Sequence, residues 1–283
     1  MKSNSLLFRA LEFYGNHLHH RGQWFVHQKL RDLLRADVDA DLEVTRDGLR
    51  WVLNPSDYVQ APLFWLGTHD YWDIYHIKKL LRPGDVIFDV GANFGYYSIA
   101  LATALQKACQ VHAFEPNFPT YQRLVRHIEL NNLGDVIAVH RVALSDVAGM
   151  GSMVGRPDNS GAASVHPGEG DIVLTTLDAF CQAHQVSRLD FMKIDIEGFE
   201  EKLLQGGTES IPRFNPILFI ELQPTTLTRE GSSVERVVDL LRGFGYQLYT
   251  HRRDQLSPLR RLPTGSELVN AFCVPTQRSD RLS

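Results

Sequence analysis

The amino-acid sequence predicts a doubly wound α/β fold: a mostly parallel sheet with helices on both faces. Three observations predict it. Short runs rich in Val, Ile and Phe recur at residues 86–90, 111–114, 136–139, 191–194 and 217–220, and apolar runs of that length mark strands buried on both faces. Helical periodicity fills the intervals at 96–105, 118–130, 177–184 and 200–204, and strand–helix alternation builds right-handed βαβ units. The first of these strands runs into the glycine-bearing turn Asp89-Val90-Gly91-Ala92-Asn93-Phe94-Gly95, at the sheet edge where such folds bind ligands.

The remaining elements follow in order. Residues 24–34 place Phe25, Val26, Leu30, Leu33 and Leu34 at helical spacing, an amphipathic helix. Residues 42–53 alternate around Asp47-Gly48, a dipeptide that tolerates the positive φ values of a two-residue hairpin turn. Residues 71–81 are helical, and Arg82-Pro83-Gly84-Asp85 ends that helix and leads into the first buried strand. Asn117 is placed to cap the helix over 118–130, and Gly206-Gly207 to end the one over 200–204. A helix over 234–241 and strands over 247–250 and 268–274 complete the sheet with an antiparallel edge. Residues 149–170, dense in Gly, Ser, Asn and Pro, read as an irregular loop, a lid or a disordered segment. The organisation expected is an N-terminal helical and hairpin extension over 1–69 and a main domain over 70–283.

Composition narrows the function. The 283 residues are 43% hydrophobic and 22% charged, as in an ordinary globular chain that can bury a sizeable core. A net charge of −4 without a long basic run lacks the electrostatic footprint of a nucleic-acid binder. The apolar runs fall short of the roughly 20 residues a membrane helix needs. Arg9 and Glu12 interrupt the apolar start at Leu6-Leu7-Phe8, so no signal-peptide core is read there and a cytoplasmic location is expected. Cys109, Cys181 and Cys273 are odd in number and widely spaced, which suggests packing rather than a disulfide framework or a zinc site. His17, His19, His20 and His27 have no carboxylate or Cys at ligand spacing, so they read as surface residues and no metal is expected.

The turn after the first strand has the spacing Gly-x-x-x-Gly, not the Gly-x-Gly-x-x-Gly of a dinucleotide site, and no basic residue stands near it to meet a phosphate. A nucleoside without phosphates fits better. Glu115, about 20 residues further at the end of the second strand, is placed to accept both ribose hydroxyl protons, making Glu115-Pro116 a ribose clamp. Each signal alone has a bland reading: such glycines are simple punctuation in about half of βα turns, and an acid at a strand end is often just solvated. Their order and spacing together point to a nucleoside site.

At these residues the chain resembles the FkbM methyltransferases. The segment from Val86 to Tyr97 looks like the family's opening motif. Ala113-Phe114-Glu115-Pro116-Asn117, Glu129-Leu130-Asn131-Asn132, Val142-Ala143-Leu144-Ser145-Asp146, Thr176-Leu177-Asp178 and Lys193-Ile194-Asp195-Ile196-Glu197-Gly198-Phe199-Glu200 agree in order. The resemblance runs from about Arg82 to Gln223. It departs at Gly206-Gly207, where the family has Gly-Ala, and at Glu221-Leu222-Gln223, which lacks a His often seen nearby. It implies a class I methyltransferase fold, S-adenosylmethionine as cofactor, and O-methylation of a saccharide or a small-molecule natural product. Asp89, Gly91, Ala92, Asn93 and Gly95 would then surround the methionine end, Glu115 and Pro116 the ribose, and Ala143, Leu144, Ser145 and Asp146 the adenine edge.

Asp195 and Glu197 follow the fourth strand and Glu221 ends the fifth, at the edge where the methyl group would point. These three are the candidates for orienting or deprotonating a hydroxyl acceptor. The competing reading has Lys193 paired with one of the acids and Glu197 supporting the following helix. His166, in the irregular segment, is a lid candidate whose commoner role is solvated. Two other functions use the same sheet. A nicotinamide-dependent oxidoreductase should show a third glycine, which is missing here, and a non-catalytic nucleoside-binding protein should bind cofactor without turnover.

Overall fold

Five apolar strands buried on both faces need a helical layer on each side, and the chain supplies both. The computed structural model describes residues 13, 29, 40–68, 70–156 and 159–282, with the backbone alone over 154–156 and 159–164. Apart from Lys29, which is helical, the helix expected over 24–34 lies outside the described residues, as do the histidines at 17, 19, 20 and 27.

In chain order the elements are β1 (Leu42–Arg46), β2 (Leu49–Leu53), α1 (Ala61–Leu66), α2 (Tyr71–Leu80), β3 (Val86–Val90), α3 (Tyr96–Ala104), β4 (Gln110–Phe114), α4 (Phe118–Leu130), β5 (Ile137–His140) and β6 (Val142–Ser145). There follow β7 (Gly149–Arg156), β8 (Asn159–Pro167), β9 (Ile172–Thr176), α5 (Leu177–Ala183), β10 (Phe191–Ile194), α6 (Glu200–Gln205) and α7 (Ser210–Phe214). The last are β11 (Ile217–Leu222), α8 (Pro224–Arg229), α9 (Val234–Gly243), β12 (Tyr246–Arg252), β13 (Gln255–Pro258) and β14 (Val269–Pro275).

The main sheet has the order β13-β12-β14-β11-β10-β3-β4-β5. β5, β4, β3, β10 and β11 run parallel, and β14 is antiparallel to both β11 and β12. Strand order therefore reverses between β3 and β10, the switch point at which an open α/β sheet leaves a crevice. Alternation along each strand splits the core in two. Ile87, Val111, Phe191, Ile217 and Phe272 pack with helix residues such as Ile77, Ile99, Leu101 and Leu124, while Phe88, Val90, Phe114, Met192 and Leu218 pack with Phe180, Leu203, Val237 and Leu241.

The hairpin expected around Asp47-Gly48 is β1–β2, with φ of 50° and 76° at its two turn residues. It docks on α4 through His127, which is fully buried between the backbones of Val52 and Phe94. Burial holds this imidazole below its usual pKa, so it is neutral at pH 7. Nδ1 then donates to the Phe94 carbonyl at 2.7 Å, and Nε2 accepts the Val52 N–H at 2.9 Å. Two further bonds join Asn131 to the Arg50 backbone.

The structure corrects two expectations. Residues 149–170 are not an irregular loop, because β7 and β8 form a hairpin that pairs through β7 with β9, giving a second sheet in the order β6-β9-β7-β8. Strand pairing is a backbone interaction, so its small residues do not forbid it. Gly151 is needed there, since a Cβ would lie 2.8 Å from the His166 carbonyl oxygen. Asn117 does stand at the N-cap of α4, but its side chain makes no capping bond. Its backbone N–H instead donates to Glu115. Among the described residues no helix is long and apolar enough to cross a membrane. The three cysteines are free, Cys181 and Cys273 being buried and Cys109 half-buried.

At the amino ends of β3 and β10, two fully desolvated acids are held by the last turn of the chain. Asp85 accepts bonds from Arg281 at 2.8 and 3.1 Å, from Arg188 at 3.2 Å and from the Arg82 N–H at 2.8 Å. Asp190 accepts from Arg278, Arg188 and the Val86 N–H. Burial alone would raise the Asp190 carboxyl, but these donors outweigh it and hold it below the usual carboxylate range. Its contribution to stability is thus present above the ordinary Asp pKa and is lost as pH falls through the depressed value. Arg281→Ala leaves Asp85 with one fewer cation, and a cost of about 2 to 3 kcal/mol is expected in chemical denaturation. A loss under about 0.5 kcal/mol would show that Arg188 and the Arg82 N–H suffice.

Candidate active site

Where β3 and β10 pair side by side, register sets Lys193 opposite Asp89. Both are buried, at 3% and 0% exposure. The Lys193 ammonium donates to the Gly91 carbonyl at 3.0 Å and lies 3.3 Å from Asp195 and 3.6 Å from Asp89. Burial by itself would lower its pKa, but Asp195 and Asp89 overcome that and raise it, so the group stays charged. Asp89 also accepts a 2.6 Å bond from Ser98.

This pin draws the glycine turn against the end of β10. Gly91 has φ 77°, and a Cβ there would overlap the Asp195 carbonyl oxygen. Gly95 has φ 93°, and a Cβ would lie 2.5 Å from Leu124 Cδ1. Both glycines thus make room for protein neighbours as well as for the turn.

Glu115, 6% exposed at the end of β4, accepts the N–H groups of Asn93 and Asn117, both at 2.9 Å. Burial pushes its carboxyl up to about 7, although those two N–H groups act the other way. Asn93 sits at φ 48°, and its buried Oδ1 has no hydrogen-bond donor.

A cavity of about 860 Å³ opens over the carboxyl edge of the sheet. Gly91, Ala92 and Asn93 after β3, Glu115 and Pro116 after β4, and Ala143 and Leu144 within β6 form one wall. Met153 of β7 and Val165 of β8 line it too. From β10 and β11 come Lys193, Asp195, Glu197 and Glu221. The chain before β3 adds Tyr58, Pro62, Leu66, Thr68 and Asp70, and β14 adds Asn270.

Ten of the residues singled out in the sequence therefore share one cavity. Four do not line it. Asp89 lies beneath the turn, Gly95 opens α3, Ser145 is fully buried, and Asp146 is exposed with one oxygen on the Ser145 hydroxyl. The carbonyl of Ser145 packs so closely on Gly206 that a Cβ at Gly206 would overlap it, which turns the end of β6 toward the α6–α7 junction. His166 is exposed and is not part of the cavity wall.

The acids beyond β10 are held by the backbone. Glu197 sits at φ 54°, followed by Gly198 at φ 109°, where a Cβ would lie 2.6 Å from the Thr226 carbonyl oxygen. Arg229 bonds the Glu197 carbonyl at 2.9 Å. The helix-supporting role weighed for Glu197 belongs to Glu200, which accepts the N–H groups of Ile196 and Gly198. Lys193 pairs with Asp195, as the competing reading of that segment expected, and with Asp89 as well. Burial, then Asp195 and Glu200, pushes the Glu197 carboxyl up to about 7. Burial, then Asp195 and Glu197, raises Glu221 well above the usual range.

Sequence reasoning missed Asp70, Tyr97, Arg229 and Asn270. Tyr97 is buried beside Lys193, donates to Asp70 at 3.1 Å, and is kept protonated by burial. A polar ring at helix position two after the glycine turn carried a faint signal. Asp70 and Asn270 reach the cavity through tertiary contacts with no local pattern. Chemically, the cavity joins an acid placed to hold hydroxyls to carboxyls able to take a proton near neutral pH.

A family profile described as the Methyltransferase FkbM domain matches residues 89–248, more than half of the chain. The hexuronic acid methyltransferase AglP of Haloferax volcanii is 29% identical over 147 residues, covering 50% of this chain and 59% of that protein. The 31-O-demethyl-FK506 methyltransferase FkbM of Streptomyces tacrolimicus is 38% identical over 206 residues, covering 59% of this chain and 74% of that protein. The crystal structure of a methyltransferase FkbM from Methylobacillus flagellatus aligns with a TM-score of 0.45 and 19% identity, over 75% of this chain and 52% of that one. The chain thus spans less than two thirds of the archaeal relative and of the solved structure.

Lys193→Met leaves Asp89 buried without its cation, and a destabilisation of about 3 to 5 kcal/mol is expected. Pairing it with Asp89→Asn should recover more than half of that loss in thermal and chemical denaturation. Additive losses in the double variant would show that the two groups do not depend on each other.

Proposed function

Starting from a chain that belongs to the FkbM methyltransferase family, we propose that it transfers a methyl group from S-adenosylmethionine to a hydroxyl of a saccharide or other small molecule. What carries this reading is the sharing of one cavity by the Glu115 clamp and the Glu197 and Glu221 carboxyls.

The residues present suit the cofactor. Asn93 offers a buried acceptor without a donor, and Glu115 offers carboxylate oxygens fixed by two N–H groups, a set suited to a ligand rich in N–H and O–H donors. Asn93 and the Gly91–Ala92 backbone would hold its amino-acid end, Glu115 its ribose hydroxyls, and the apolar walls at Ala143 and Leu144 its base. When bound, it supplies a methyl group activated on a sulfonium.

The chain's own contribution is alignment and proton management. Fixing the reacting groups can lower a barrier by roughly 7 to 11 kcal/mol. A hydroxyl acceptor must lose its proton, and a carboxyl near 7 is half in its accepting form at neutral pH. Glu197 is that carboxyl, with Asp195 and Glu221 beside it. Lys193, held charged, does not serve as a base. The segment before residue 70, with Tyr58, Pro62, Leu66 and Thr68 on the cavity, forms the acceptor-side wall in this reading.

Two measurements test it. Glu115→Ala should weaken S-adenosylhomocysteine binding at least tenfold in calorimetry, because hydrogen bonds to a charged group are worth about 1.5 to 3 kcal/mol each. Unchanged affinity in a folded variant sinks the clamp.

In kinetics with an identified acceptor, the sign comes from the raised Glu197 value. Below about 7 the carboxyl is protonated and cannot accept, so kcat/KM for the acceptor, at saturating cofactor, should climb with pH and level off above 7. Glu197→Gln should cut turnover by about 10²-fold or more and erase that limb. A variant that keeps both rate and limb moves the base to Glu221 or Asp195, and cofactor binding without any turnover favours the non-catalytic reading.

A further inference from the structure

The chemical class of the acceptor, which rests on the function proposed above, is marked by a surplus of acid. Methyl transfer to a hydroxyl needs one proton acceptor, yet the acceptor side of the cavity is lined by three carboxyls, Asp195, Glu197 and Glu221. Glu197 and Glu221 line the cavity and make neither a hydrogen bond nor an ion pair through their carboxyls among the described residues. The neighbouring cations Lys193 and Arg229 act on Glu221 and Glu197 only through space, and their direct bonds go elsewhere. Lys193 serves Asp195, Asp89 and the Gly91 carbonyl, and Arg229 serves Glu230 and the Glu197 carbonyl.

Asn270 adds an independent observation. It lies directly across the β11–β14 ladder from Glu221 and lines the same cavity. Its amide nitrogen donates at 2.9 Å to Asp73, a buried carboxylate that also takes a 2.7 Å bond from His251. A carboxylate only accepts, so Asp73 fixes which end of the amide it meets, and Oδ1, an acceptor, is the end left over. The other end of the amide beside Glu221 is thus an acceptor. Tyr96 lines the cavity as well, and aromatic faces attract cations. Like charges crowd each other here: Asp195 and Glu197 both help to raise Glu221, and a cation between them would relieve that repulsion.

We propose that the acceptor carries a positive charge, an aminated saccharide or polyol being the class that fits, in contrast to the uronate named for the archaeal relative. Among the described residues no group of three or more His, Cys, Asp and Glu side chains is arranged to hold a metal ion, so an organic ammonium is the cation favoured.

The test uses three matched methyl pyranosides that differ in one group: an amino sugar, its neutral parent, and a uronate. Binding is measured by calorimetry on the full chain at pH 7, saturated with S-adenosylhomocysteine, so that the cofactor's own ammonium is present in every arm. The amino sugar should bind at least tenfold tighter than the neutral sugar, and the uronate weakest. Glu221→Gln, and separately Asp73→Asn, should shrink that preference at least threefold, with S-adenosylhomocysteine affinity retained.

An amino sugar that binds no better than its neutral parent overturns the proposal, as does tighter uronate binding or a preference that appears only with added magnesium. Methyl transfer is assayed in parallel. Transfer to the uronate would overturn the charge assignment and leave the methyltransferase reading standing, whereas a binding preference without transfer to any sugar would do the reverse.

Discussion

A buried ammonium is the constraint on which the site depends. Lys193 sits in the middle of the parallel sheet with almost no contact with water, where an unpaired charge costs several kcal/mol. Its compensation comes from three chain segments: Asp89 inside β3, the Gly91 carbonyl in the turn after it, and Asp195 after β10. Satisfying one charge therefore fixes the turn, the strand end and one candidate acid relative to each other. The close approach of Gly91 to the Asp195 carbonyl results from the same pin. Geometry that a ligand would otherwise have to impose is already present in the chain.

A second coupling joins the two sides of the cavity. His127, kept neutral by burial, bridges the hairpin backbone at Val52 and the glycine-turn backbone at Phe94. Trp51 packs against both Phe94 and His127. The hairpin is thereby keyed to the turn that borders the proposed nucleoside side, and the chain leading from the hairpin carries Tyr58, Pro62 and Leu66 to the proposed acceptor side of the cavity. Residues far apart in sequence and in proposed role are positioned by a single imidazole.

Much of this architecture was legible in the sequence, because strands buried on both faces leave a strong trace. β3, β10 and α4 have the bounds their patterns imply, and the turn residues of the first hairpin announce its geometry. The helix α1 was not legible: Ala61–Leu66 is apolar throughout, with Pro62 in its first turn, and shows no periodicity. The β7–β8 hairpin was hidden for a different reason. Gly151 is glycine where a neighbouring backbone lies close, and the Gly, Ser, Asn and Pro residues of this stretch look like a loop. In the site, Glu115, Asp195 and Glu197 were readable because they sit at strand ends. Ser145 and Asp146 lie at a strand end too, but the tight contact with Gly206 takes them out of the cavity. Asp73 and Asn270 meet across nearly two hundred residues, and only the folded sheet brings them together.

The place of β14 governs when the domain can be finished. This strand lies between β11 and β12 although it comes after both in the chain, so β12 and β13 have no seat on the sheet until residues 269–275 have been made. The clamps from Arg278 and Arg281 onto Asp190 and Asp85 come later still. During synthesis, then, the apolar edge of β11 remains uncovered for more than forty residues of further growth. An unpaired, mostly apolar edge strand is what chaperones bind and what aggregates. Yield in the cell therefore depends on how fast that gap is closed, and a slow stretch of translation just before β14 would lengthen the exposure without altering any contact in the finished protein.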